Sequence, residues 1–224
     1  MTRLLALETS GRAGSVAALE DDQLLAEHAL EATRGSAATL APAIRDLLTE
    51  VAWRPADVQL VAVATGPGSF TGLRIGVMTA KTLAYAIGAQ IVGVDTLDAI
   101  ALQAPAAARP LWTALDAGRE QLFVARYVAG EAMPASAERP TALVDAGGWL
   151  AELSPGEWIS GPALERYAAR IAAGIQLIDA ESWWPRAASV GRLAWSQYVA
   201  GVRHDFWTLA PNYFRPSAAE ERRP

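Results

Sequence analysis

The chain has 224 residues, 52% of them hydrophobic and 19% charged, enough apolar surface for a substantial core in one or two domains. Its net charge of -5 is unlike the basic face with which a protein grips nucleic acid unaided, so any nucleic-acid role is expected to be shared with a partner. The lack of cysteine excludes disulfides, thiolate metal sites and a cysteine nucleophile, and the two histidines, His28 and His204, have no ligand spacing.

Residues 1–10 hold too short an apolar run for a signal peptide, and no stretch reaches the ~18 apolar residues of a membrane helix. A soluble cytoplasmic protein with no membrane partner is the expectation. Residues 3–8 read as a buried strand ending in Glu8 and running into the turn Thr9-Ser10-Gly11. Residues 15–20 and 23–30 complete a three-stranded antiparallel meander. A polar break at Thr33–Ser36 precedes a helix whose Leu40, Ile44, Leu47, Leu48 and Val51 share one face, closed near Pro55. Residues 58–64 are apolar throughout, as in a strand covered on both sides. The loop Thr65-Gly66-Pro67-Gly68-Ser69 opens a helix reaching about Ile87. A strand over 90–94 and a short helix over Thr96–Gln103 follow. Residues 104–110 break all periodicity, dividing the chain into halves 1–105 and 106–224.

The opening pattern then returns. Residues 111–116 form an apolar strand ending in Asp116, Gly118-Arg119-Glu120 turns, Leu122–Val128 is a strand and Ala129-Gly130-Glu131 turns again. Strand, acid, glycine turn and strand thus occur twice, as a duplicated ribonuclease-H-like fold would leave them. Beyond lie a helix over 144–152, a strand over 157–160, a helix over 163–172, a strand over 175–178 and an amphipathic helix over 187–201. An extended tail, Leu209–Pro216, leads to a mixed-charge end with Arg215, Glu220, Glu221, Arg222 and Arg223. The pair Trp183-Trp184 has little basic charge around it and reads as packing rather than base stacking.

The segment Thr65–Ala86 carries the most chemistry. Gly66 and Gly68 flank Pro67 in a tight turn off a buried strand, and Ser69 is placed to cap the next helix. Within that helix Gly72, Gly76 and Ala80 recur every four residues, with Thr79 alongside. Glycine costs a helix about 1 kcal/mol relative to alanine, so the stripe needs a reason. Three remain open: packing against the protein's own sheet, packing against a second protein, or an anion at the helix N-terminus. No Gly-Lys-Ser/Thr follows the glycines, so this is not a Walker A loop.

The run GPGSFTGLRIGVMTAKTLAYA, with LLALETS at the start, LDAGREQLFVARY in the middle and PNYFRP near the end, resembles the TsaB (YeaZ) family of tRNA threonylcarbamoyladenosine biosynthesis proteins. The resemblance implies an α/β chain of the actin-like ATPase (ASKHA) fold, two ribonuclease-H-like halves with mixed sheets flanked by helices. It implies a non-catalytic subunit pairing with the TsaD paralogue and the TsaE ATPase to modify adenosine 37 of tRNA, and forming a homodimer when alone. ATP and metal would belong to the partners, and tRNA would be reached only through the complex. The implied interface is Leu40, Ile44, Leu47, Ser69, Phe70, Gly72, Leu73, Gly76, Val77, Thr79, Ala80 and Leu83, with the small stripe facing outward.

Three departures stand out. Glu8 replaces the family's usual aspartate, Ser36 stands where many members have histidine, and the paralogue's histidine metal pair has no counterpart. Glu8, Thr9, Ser10 and Asp116 form a possible vestigial cleft, in which Glu8 and Asp116 would cap strands rather than hold magnesium. No catalytic residue and no metal ligand is assigned. The alternatives are an ATP-dependent small-molecule kinase of the same fold, for which Glu8 and Asp116 speak, and a peptidase as in older glycoprotease naming. For the latter, Ser69 lacks a Gly-x-Ser-x-Gly elbow and a base.

Overall fold

The computed structural model describes residues 1–31, 35–128 and 137–214. Parts of the break at Thr33–Ser36, the turn at Ala129-Gly130-Glu131, and Arg215 with the charged end lie outside the described residues.

The first unit comprises Met1–Thr96 and the segment from Arg186 onward. Its strands are β1 (Arg3–Glu8), β2 (Ser15–Glu20), β3 (Gln23–Ala29), β4 (Leu60–Gly66) and β5 (Gln90–Asp95), in the order β3-β2-β1-β4-β5. The β1–β2 and β2–β3 pairs are antiparallel, and β4 lies parallel between β1 and β5. All seven residues of β4 are buried, as its unbroken apolar run requires. Helices α1 (Ser36–Glu50) and α2 (Phe70–Ile87) cover one face, where Leu5, Leu7, Val16, Ala18, Val61 and Val63 join Leu40, Ile44, Leu47, Val77 and Ala80 in one core. The alternate residues face α6 (Ala187–Val199), whose Gly191 sits against Leu19 and Ala6. The two faces of the sheet thus bury the two phases of the same strands.

The second unit, Leu97–Pro185, repeats the plan. Strands β6 (Leu111–Gly118), β7 (Gln121–Tyr127), β8 (Ala137–Asp145), β9 (Trp158–Ser160) and β10 (Gln176–Leu177) stand in the order β10-β9-β6-β7-β8. Read from the other edge, this is the order of the first sheet, with the same antiparallel meander and parallel pairs. Helices α3 (Thr96–Gln103), α4 (Ala146–Glu152) and α5 (Leu164–Tyr167) accompany it.

Several details depart from the sequence reading. The compact units change over at Thr96/Leu97 rather than at 105/106, and α6 belongs with the first sheet rather than with the second half. The reason is its N-terminus: Ala187 N–H donates to Ser15 Oγ (2.8 Å) and Ala188 N–H to Glu27 Oε1 (3.0 Å), both groups of the first sheet. Arg186 Nε donates to the other Glu27 oxygen at 3.0 Å. Strand β8 has no counterpart in the sequence reading, and the expected helix over 163–172 shortens to α5 and one 3-10 turn, Ala168–Arg170. Since Glu27 closes the α6 N-terminus, Glu27→Ala is expected to lower stability by about 1–2 kcal/mol in urea unfolding.

Among the described residues, no helix is long and apolar enough to cross a membrane.

Candidate functional site

The loop Pro67–Ser69 joins β4 to α2. Gly66 and Gly68 take positive φ values of 114° and 156°, and a side chain on Gly68 would come within 2.6 Å of the Ser10 carbonyl oxygen. Ser69 is the N-cap, its Oγ accepting the Gly72 N–H at 3.2 Å, and Gly88 (φ 70°) closes the helix. The hydroxyl offered to a peptidase reading is therefore a helix cap.

Behind α2 sits the turn that follows β1. Ser69 N–H donates to Ser10 O at 2.8 Å, and Thr9 Oγ1 donates to Gly72 O at 2.8 Å. A methyl group on Gly72 would overlap the Thr9 carbonyl oxygen, and one on Gly76 the Thr9 hydroxyl. The glycines therefore make a pit into which Thr9 is seated. This answers the question left open by the four-residue spacing, in favour of packing against the protein's own sheet.

The expectation that the stripe faces outward is accordingly corrected. Gly72, Leu73, Gly76, Val77 and Ala80 are buried in the first unit, as are Leu40, Ile44 and Leu47 of α1. Phe70, Thr79 and Leu83 are half-buried, and Ser69 is exposed. The outer face of α2 is instead Thr71, Arg74, Met78, Thr82, Tyr85 and Ala86, with Met78 58% and Tyr85 63% exposed. The spacing Met78–Tyr85, two turns on one side, is the signal for this face in the sequence.

The segment after α6 lies along this helix. His204 N–H donates to Ile91 O (3.1 Å) at the β5 edge, and Asn212 N–H donates to Thr65 O (2.8 Å). Lys81 Nζ donates to the carbonyls of Trp207 (3.2 Å) and Leu209 (2.9 Å). Tyr85 packs against Phe206 and Trp207, each at 5.5 Å between centroids. Arg74 Nε donates to the Tyr213 hydroxyl at 2.9 Å, its guanidinium 3.8 Å above the Phe70 ring. The sequence reading saw an extended tail but not its seat.

Glu8, Thr9 and Ser10 are buried rather than lining an opening. Glu8 Oε1 accepts from Ser10 N–H at 2.6 Å and from the Ser10 hydroxyl, while Oε2 is buried without a hydrogen-bond partner among the described residues. Burial lifts the carboxyl from its ordinary 4.5 to about 7; the Ser10 hydrogen bonds pull it down, and nearby Glu27 adds to the rise. In the second unit Asp116 Oδ1 accepts from Gly118 N–H (2.7 Å) and Oδ2 from Arg166 (3.4 Å), which also holds Glu120. Glu8 closes the turn after β1, and Asp116 holds the end of β6. His28 meets Glu50 at 2.6 Å, and His204 Nδ1 accepts from Gly93 N–H. Among the described residues, no group of three or more His, Asp or Glu side chains is placed to hold a metal ion.

Residues 28–178, more than half of the chain, match the family described as TsaD, tRNA N6-adenosine threonylcarbamoyltransferase. The TsaB protein of Bacillus subtilis is 33% identical over 124 residues, 55% of this chain and 54% of that protein, so the match spans about half the length of this curated relative. A YeaZ-like structure from Pseudomonas aeruginosa superposes with a TM-score of 0.79 at 28% identity, covering 96% of this chain and all of the other. The activator of 2-hydroxyisocaproyl-CoA dehydratase from Clostridium difficile, at 10% identity and a TM-score of 0.50 over 91% of this chain and 99% of that one, shares the fold alone. Two ribonuclease-H-like sheets of one topology make this the actin-like ATPase fold. The chain belongs to the TsaD-related family, as a member of its TsaB (YeaZ) group.

Proposed function

We propose that this protein is a non-catalytic pairing subunit in the synthesis of N6-threonylcarbamoyladenosine at position 37 of tRNA. It docks through the outer sides of α1 and α2 on a TsaD-type paralogue, and a TsaE-type ATPase joins the assembly. Nucleotide and metal are supplied by those partners, and tRNA is met only in the complex. Alone, the chain pairs with itself through the same helices.

The observation that carries this reading is the arrangement about α2. The turn after β1 is closed here: Thr9 is seated in the glycine pit and Ser10 holds the Glu8 carboxyl group. The same helix leaves Met78 exposed on its other side, and Tyr85 63% exposed beside Phe206 and Trp207. Large exposed apolar side chains on a rigid helix are the usual anchors of an interface. A net charge of -5 also leaves tRNA to a partner.

Met78→Glu tests the reading. The substitution touches an exposed side chain, so stability should stay within about 0.5 kcal/mol of the parent. Co-purification with the TsaD-type paralogue of the same organism should fall at least about tenfold, the loss expected of an interface anchor. A parent chain that never co-purifies with the paralogue, or a Met78→Glu chain that pairs as well as the parent, would sink it. The kinase reading has less support because Glu8 is wholly buried; calorimetric binding of magnesium-ATP to the isolated chain would revive it.

A further inference from the structure

Glu8 is a fully buried carboxyl group at the end of β1 whose first oxygen is held by Ser10 and whose second has no hydrogen-bond partner among the described residues. The residues after it clasp α2. Thr9 fills the Gly72–Gly76 pit and bonds the Gly72 carbonyl, and Ser10 O accepts the Ser69 N–H at the helix start. The charged group acting on Glu8 is Glu27 of β3, itself held by Arg186 ahead of α6. The turn's own Arg12 is exposed, β2 and β4 bring no ionisable group to that end, and Arg74, Lys81 and Tyr85 of α2 lie against the C-terminal segment. Among the described residues no cation compensates Glu8 directly, and a second carboxylate stands near it.

We propose that the turn Thr9–Gly14 is a proton-operated latch on α2, closed while Glu8 is a neutral acid and loosened when Glu8 gives its proton to water. An ionised Glu8 in the closed turn is a buried charge with one unsatisfied oxygen beside Glu27. Loosening the turn hydrates that charge, withdraws Thr9 from the pit and frees the first turn of α2. The carboxyl's position near 7 puts the change within the physiological range. The latch acts on the helix to which pairing is assigned above, and it rests on that reading only for its consequence, firmer seating of the docking helix at lower pH.

Hydrogen exchange tests it on the full chain. With Glu8 at its ordinary value in the open turn, the closed-to-open ratio should fall about tenfold between pH 6 and pH 8.5. The amides of Ser10, Ser69, Gly72 and Leu73, corrected for intrinsic exchange, should lose protection by that factor, and amides of β4 should not. In Glu8→Gln the loss should vanish. In Thr9→Val, which removes the bond to Gly72 but keeps Glu8, protection should be lower at both pH values with the pH response kept. Protection independent of pH in the parent, or an equal loss in Glu8→Gln, overturns the latch. Binding of the TsaD-type paralogue is measured in the same buffers. If it binds at neither pH while the amides respond as expected, the docking reading fails and the latch stands.

Discussion

Gly72→Ala is expected to destabilise the protein by about 2–3 kcal/mol, although in an isolated helix the same change would stabilise by about 1 kcal/mol. The added methyl meets the Thr9 carbonyl oxygen, part of a turn anchored by hydrogen bonds at Ser10 and Gly72, so it has nowhere to go. Gly76→Ala meets the Thr9 hydroxyl instead. Removing that hydroxyl with Thr9→Ala should therefore recover most of the loss in Gly76→Ala and little of the loss in Gly72→Ala. Urea unfolding of the three single and two double variants checks this, and equal rescue in both would contradict the packing. Gly76→Arg, whose side chain has to displace Thr9, should unfold the chain before it reports on any partner.

The second large effect is on the pH dependence of stability. Glu8 titrates at about 7 in the folded chain, against its ordinary 4.5 when unfolded. The folded state therefore holds the proton more tightly. The stability this contributes is present in full below pH 4.5 and is lost as the pH rises through 7. Glu8→Gln keeps the neutral shape and escapes the loss. Near pH 4 the two proteins should have similar stability, and at pH 8 the variant should be more stable by on the order of 3 kcal/mol. Urea midpoints at both pH values measure it, and a difference that does not grow with pH would refute the assignment.

Much of this architecture is legible in the sequence because its signals are local. The apolar run from Leu60, the turn glycines around Pro67, the Ser69 cap and the second strand–acid–turn–strand pattern at Leu111–Tyr127 each declare themselves within a few residues. What stays hidden depends on distant partners. The four-residue spacing of Gly72, Gly76 and Ala80 fixes that they share a face, but which way the face points is decided by Thr9, 63 residues before Gly72. Helix α6 is clear as a helix, yet its return to the first sheet depends on Ser15 and Glu27, more than 150 residues earlier. Strand β8 escapes because it is an edge strand with Glu138, Arg139 and Pro140 exposed, so its alternation is weak and it opens with residues that strands disfavour. Glu8 is visible as an acid ending a strand; its burial is visible only once the chain folds back and Ser10 closes on its carboxyl group.

On the proposed function, the outer side of α2, not its glycine stripe, meets the partner. Hydroxyl-radical footprinting addresses it directly, because Met78 and Tyr85 are reactive side chains and the chain has no cysteine to compete for oxidation. On adding the TsaD-type paralogue, oxidation of Met78 and Tyr85 should fall sharply while that of Met1, 90% exposed and away from these helices in sequence, stays unchanged. A complex that forms while Met78 and Tyr85 remain as reactive as in the free chain would contradict the account.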